Sequence, residues 1–193
     1  MLSIQIKAPS EAPKALIDLV KFARDKRSLM GEVGATFENV LQEHFDAKNR
    51  QPNKRGFKKS NFYARISRRT HLTKYDDSSA TVTVSDPAFA AKVYGATIRP
   101  TGGRKAIAIP LTEATYGKRP SQLNWRAKLK LIPGKPGKPS LLALQDGEKI
   151  IPQFVLLKSV STPADPTALP ESSDVNEALH AAIADFLDRE FMR

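Results

Sequence analysis

Cysteine is absent from the 193-residue sequence. Disulfide scaffolds, thiolate zinc sites and cysteine nucleophiles are excluded with it, and the composition fits synthesis in a reducing cytoplasm. No apolar run approaches the roughly 20 residues that a membrane-spanning helix needs. Residues 1–7 lack a basic stretch followed by an apolar one. Neither a membrane segment nor a signal peptide is therefore expected.

Chemistry-bearing patterns are also missing. The three histidines, His44, His71 and His180, form no His-x-x-x-His or His-Glu-x-x-His pattern. Glu177 precedes His180 by three residues, but no second such pair completes a metal site. No Gly-x-Ser-x-Gly elbow surrounds any serine. Gly102-Gly103-Arg104-Lys105 lacks phosphate-loop spacing and reads as a tight turn. Asp76 and Asp77 are adjacent, so on a strand they point to opposite faces. No ligand spacing supports a metal nuclease built on Asp76, Asp77 and Glu113. A non-enzymatic protein is expected, with no catalytic residue, metal or cofactor assigned.

What the chain does have is positive charge, 31 Lys and Arg against 20 Asp and Glu, a net +11. An acidic partner, either nucleic acid or protein, is implied. Residues 48–74 hold ten Lys or Arg and no Asp or Glu. There Lys54, Arg55, Lys58, Lys59, Arg65, Arg68 and Arg69 alternate with Phe57, Phe62 and Tyr63. Cations that meet phosphates and rings that stack on bases are the composition of a nucleic-acid contact. The same composition also suits a basic arm that docks on an acidic protein face. A second acid-free stretch runs from Lys118 to Lys138 and contains Trp125, Lys135 and Lys138. An exposed Trp125 flanked by cations would anchor an interface, whereas a Trp125 folded onto a sheet would not.

Periodicity predicts an α+β fold. Residues 2–6 alternate as a short strand, and Ser10 caps a helix carrying Leu16, Leu19, Val20 and Ala23. Leu29, Met30, Val33, Phe37, Val40, Leu41 and Phe45 continue a helical stripe to about residue 47. Part of 60–69 suits a short basic helix. Residues 81–85 read as a strand, and Asp86-Pro87 as a cap with proline in the first turn. Residues 97–100 and 105–111 are predicted to be two strands around the Gly102-Gly103 turn. Residues 112–139 form an extended loop or hairpin, with Pro133-Gly134-Lys135-Pro136-Gly137-Lys138-Pro139 at its tip. Residues 141–144 and 150–160 are strands, and the second is apolar on both faces, which predicts a central, doubly covered position. Pro163, Pro166 and Pro170 make a connector. Val175, Leu179, Ala182, Ile183, Phe186 and Leu187 mark a closing C-terminal helix whose charges are mostly acidic. One domain, 1–193, with a mixed or antiparallel sheet is the expectation.

Three stretches together resemble a known family. They are Tyr94-Gly95-Ala96-Thr97-Ile98-Arg99-Pro100, Lys105-Ala106-Ile107-Ala108-Ile109-Pro110-Leu111, and Ile151-Pro152-Gln153-Phe154-Val155-Leu156-Leu157-Lys158-Ser159-Val160. Their order, followed by prolines and a terminal helix, is similar to the virion-morphogenesis proteins of tailed bacteriophages, the neck and tail-completion class. The Leu29-Met30 helix, Phe45 and the basic aromatic linker are similar as well. The resemblance covers roughly residues 15–190, and residues 112–139 fall outside its pattern. It implies a structural virion protein, made in the host cytoplasm, that joins tail to head through a ring-like assembly. The implied partners are other copies of the chain and neighbouring neck and tail proteins, with DNA in the channel as a further candidate. The resemblance supplies no binding residues. The competing expectation is a basic nucleic-acid-binding module, marked by tight, salt-sensitive binding to free DNA or RNA.

Overall fold

The computed structural model describes residues 26–53 and 56–191. The strand expected at 2–6, the helix after Ser10, and Lys54 and Arg55 lie outside the described residues. The elements are α1 (Arg27–Arg50), α2 (Phe62–Ser67), β1 (Thr70–Tyr75), β2 (Ala80–Val84), α3 (Pro87–Tyr94), β3 (Ala96–Ile98), β4 (Ile107–Pro110), β5 (Leu129–Ile132), β6 (Ser140–Asp146), β7 (Lys149–Leu157), β8 (Val160–Thr162) and α4 (Ser172–Phe191). The fold is α+β, and every strand pair among the described residues is antiparallel. The chain divides into two compact units.

The first unit gathers α1 as far as Asp46, Ile66–Ser85 and the chain from Leu169 onward. Leu29, Gly34, Leu41 and Phe45 are the buried residues of α1; Leu29, Leu41 and Phe45 belong to the stripe that the sequence marks, and its other members, Met30, Val33, Phe37 and Val40, are half-buried. This face lies along the β1–β2 hairpin. A Cβ on Gly34 would come within 2.6 Å of Leu72 and 2.9 Å of Ala80, so the close approach of helix and strand requires glycine there. Glu38 and Gln42, one turn apart, cover the edge of β1. The Leu72 N–H donates to Glu38 Oε2 at 2.7 Å, and Gln42 Nε2 donates to the Thr70 carbonyl at 3.0 Å. Edge amides that would otherwise invite another strand are thereby satisfied. In α4 the expected apolar stripe is half-buried or buried, with Phe186 the most enclosed. Arg189 bonds the Glu32 carboxylate of α1.

The second unit comprises Ala47–Arg65 and Asp86–Ala168. Its main sheet has the order β4-β7-β6-β5, and β3 pairs separately with β8. Asp86 caps α3 by accepting the Ala88 N–H at 3.0 Å, with Pro87 in the first turn, as expected. The Pro-Gly-Lys segment is the tip of the β5–β6 hairpin, closed by a 2.8 Å bond from the Lys138 N–H to the Lys135 carbonyl.

Three expectations are corrected here. The strands at 97–100 and 105–111 do not form a hairpin. β3 pairs with β8, and β4 pairs with β7, so Gly102-Gly103 links two different sheets. Long-range pairing with the chain about 45 to 65 residues downstream overrides the local turn signal. Secondly, 150–160 is not one strand, since it breaks at Lys158 and Ser159 and Val160 restarts beside β3. Thirdly, β7 is interior to its sheet but not covered throughout. β4 reaches only residues 154–157, and beyond it Ile150 and Ile151 are 58% and 42% exposed.

A bulge explains an unusual burial pattern in β7. Leu142 pairs with Phe154 and Ala143 with Pro152, which leaves Gln153 as the extra residue. Two successive side chains, Gln153 and Phe154, are consequently both buried. The bulge also accommodates Pro152, which cannot donate to a ladder. The aperiodic stretch at 112–127 packs against this point. The fully buried Thr115 hydroxyl donates to the Gln153 carbonyl at 3.2 Å, and Thr112 Oγ1 donates to Gln153 Oε1 at 3.0 Å.

Candidate functional site

Folding separates charge. Ala47–Arg65 and Asp86–Ala168 contain 20 Lys and Arg but only five Asp and Glu, a net +15. The remainder of the chain contains 11 Lys and Arg against 15 Asp and Glu, a net −4. The second unit is therefore the basic one.

Within that unit the stretch expected as a basic arm is woven into the structure. The Asn49 side chain accepts the Ala64 N–H at 3.2 Å, and Lys59 Nζ donates to the Arg50 carbonyl at 2.7 Å. Lys58 and Lys59 are exposed. Arg65 Nε pairs at 2.9 Å with Asp86, whose side chain is only 4% exposed. Arg68 and Arg69 belong to the other unit, at the turn between α2 and β1. The rings of this stretch are half-buried. Phe57 packs on Tyr116 with centroids 5.3 Å apart, Phe62 meets Tyr63 at 5.2 Å, and the Arg65 guanidinium lies over Phe62. Trp125 is half-buried at the start of a 3-10 turn, while Lys135 and Lys138 stand exposed at the hairpin tip.

Arg65 therefore supports the fold as well as the surface. Arg65→Gln is expected to lower stability by about 1–3 kcal/mol, because a buried carboxylate loses a paired cation. Lys58→Gln, at an exposed position, should change stability by less than about 0.5 kcal/mol. Equal, negligible shifts in urea midpoint for both variants would show that Arg65 is only a surface charge.

Two clefts open on this unit. One, of about 690 Å³, is walled by Lys48, Asn61, Tyr63, Lys92, Tyr116 and Asp165. Its lysines are engaged. Lys92 Nζ pairs with Asp165 at 2.9 Å, and Lys48 Nζ donates to the Thr167 hydroxyl at 2.7 Å. Lys92 and Thr167 hold the Asp165 carboxyl down at about 2, while burial pushes the Tyr63 phenol up. The second cleft, of about 600 Å³, brings together Arg99, Arg104 and Arg119 around apolar side chains. Sequence reading did not find this trio. Arg104 lies in the Gly102–Lys105 turn and Arg119 in the Lys118–Lys138 stretch, but nothing local in the sequence brings either together with Arg99.

Carboxylates elsewhere serve the fold. Asp76 accepts the backbone N–H and hydroxyl groups of Ser78 and Ser79 in the β1–β2 turn, which hold it at about 2. His71 lies 3.6 Å from Glu38, and His44 packs edge-on against Phe45. Among the described residues no three His, Asp or Glu side chains gather as metal ligands, and no helix is long and apolar enough to cross a membrane.

The two depressed carboxylates give a pH dependence. Asp76 and Asp165 stay charged in the folded chain below their ordinary value of 3.8. Their stabilisation is present above about pH 4 and is lost as pH falls towards 2. Thermal midpoints of Asp165→Asn and Asp76→Asn should lie below wild type at pH 5 and converge on it near pH 2. A gap that stays constant across this range would contradict the assignment.

Compared with known proteins, the chain matches no family model, no curated protein and no solved structure.

Proposed function

We propose that the chain is a structural virion protein of the neck or tail-completion class, joining tail to head in a tailed bacteriophage as one copy in a ring. The observation that carries this reading is where the three resembling stretches fall in the fold. Residues 105–111 supply β4, which pairs with β7 from the 151–160 stretch. Residues 94–100 supply β3, which pairs with β8, beginning at Val160, the end of that same stretch. Motifs separated in sequence thus form one connected piece of the basic unit, as a shared structural element would.

The chemistry suits the role. A joining protein needs a rigid sheet, protruding elements and charged surfaces that pair only when correctly juxtaposed. The β5–β6 hairpin carries an exposed basic tip, and the second unit carries the charge. The protein is made in the host cytoplasm and ends in the virion, beside further copies and neighbouring neck and tail proteins. Channel DNA is a further candidate contact, although tight base stacking would impede ejection.

The net +15 of the second unit supports a different reading, a basic nucleic-acid-binding module. That module would hold free duplex or single-stranded nucleic acid with an affinity falling steeply with salt. Mass spectrometry of purified virions tests the joining role. The protein should be present in a fixed number of copies per particle and remain after nuclease treatment. Its absence from mature particles would overturn the proposal.

A further inference from the structure

The cleft formed by Arg99, Arg104 and Arg119 has an apolar floor that includes Ile107, Leu142 and Leu156. All three arginines are exposed, and none forms an ion pair or side-chain hydrogen bond to a carboxylate of the described residues. No acid lines the cleft. Its occupant should therefore bring carboxylates together with small apolar side chains.

The same chain carries a surface of that description. On α4, Asp174, Glu177, Ala181, Asp185 and Asp188 follow one another at steps of three and four residues, which places them on one helix face. All five are exposed, and the face lies opposite the stripe of Val175, Leu179, Ile183 and Phe186. Arg189, the only Lys or Arg in the helix, bonds Glu32. No ion pair joins the four carboxylates to a described residue. The stripe runs about 21 Å along the helix, at 1.5 Å per residue.

We infer that the arginine cleft of one copy receives the acidic face of α4 from a second copy, so that copies associate head to tail. Cleft and stripe are different surfaces, and the contact is heterologous, the kind that generates a ring when its rotation closes. Guanidinium forks match carboxylates geometrically, and Ala181 at the centre of the stripe lets the helix approach the apolar floor. A phosphate backbone would offer the cations charge but would leave that floor wet. The inference deepens the assembly reading and rests on it for its setting.

Charge reversal tests the contact in the purified full-length chain. Wild type should self-associate in sedimentation at low salt and dissociate as salt rises. One variant reverses the cleft (R99E, R104E and R119E), and the other reverses the stripe (D174K, E177K, D185K and D188K). Each alone should associate at least about tenfold more weakly than wild type, since like charges then face each other. An equimolar mixture should associate again, because each variant then offers the complement of the other. Circular dichroism checks folding. If a reversal disrupts it, the neutral set R99Q, R104Q and R119Q should retain the wild-type spectrum and still weaken association. A wild type that is monomeric at every salt concentration, a mixture that fails to associate, or an association abolished by nuclease would overturn the inference. None of these results depends on virion incorporation, which the mass-spectrometric test reads separately.

Discussion

Phe154→Ala should lower the stability of the second unit by about 3–5 kcal/mol. Phe154 is fully buried in β7, which lies between β4 and β6, and it pairs across the sheet with Pro110 and Leu142. Truncation leaves a ring-sized cavity in a sheet whose neighbours are held in register and cannot collapse freely. The loss also falls beside the Gln153 bulge, where buried polar groups depend on fixed geometry. Leu157→Ala should cost less, about 1–2 kcal/mol, because Leu157 is half-buried at the end of the strand. Trp125 is the only tryptophan and lies in the same unit, so its fluorescence during urea unfolding reports the change. A midpoint for Phe154→Ala indistinguishable from wild type would remove β7 from the core of this unit.

Gly95→Ala should cost about 2–5 kcal/mol, from two causes that add. Gly95 joins α3 to β3 with φ 73° and ψ 157°, a conformation that residues with a Cβ rarely adopt. The added Cβ would also lie 2.8 Å from the Ala164 nitrogen and 3.0 Å from the Thr162 carbonyl oxygen, both backbone atoms. Neither can swing aside as a flexible side chain would. The contact sits where β8 runs beside β3, and the Asp165 N–H is bonded to the Lys92 carbonyl at 3.0 Å. Hydrogen exchange should show the amides of 96–98 and 160–162 losing protection first. Gly102→Ala is the control, because Gly102 has a positive φ but open space around it, so strain acts there without collision. Equal losses for the two variants would show that collision at Gly95 contributes nothing.

Local signals were readable in the sequence, and long-range ones were not. The Asp86-Pro87 cap, the strand at 81–85, the Pro-Gly-Lys tip and the apolar stripe of α4 each depend on residues within one or two turns of each other. The structure contains all four. The β3–β8 and β4–β7 pairs join residues about 45 to 65 positions apart, and the nearby Gly102-Gly103 turn signal points to a pairing that does not form. Charge runs and unit boundaries do not coincide. The acid-free run ends at Lys74, whereas the unit boundary falls between Arg65 and Ile66. A run of like residues records composition, while the unit is set by contacts such as Arg65 with Asp86 and Glu38 with Leu72. The arginine cleft was hidden for the same reason, since Arg99, Arg104 and Arg119 meet only after folding.

The central proposal is that this chain joins tails to heads, and particle counting tests it most directly. On this proposal the gene belongs to a tailed phage or prophage; it is removed there, and lysates are examined by negative-stain electron microscopy with and without the wild-type protein supplied in trans. The account predicts DNA-filled heads and finished tails lying apart, with joined infectious particles restored by the wild-type protein. Joined, infectious particles assembled without the protein would contradict it.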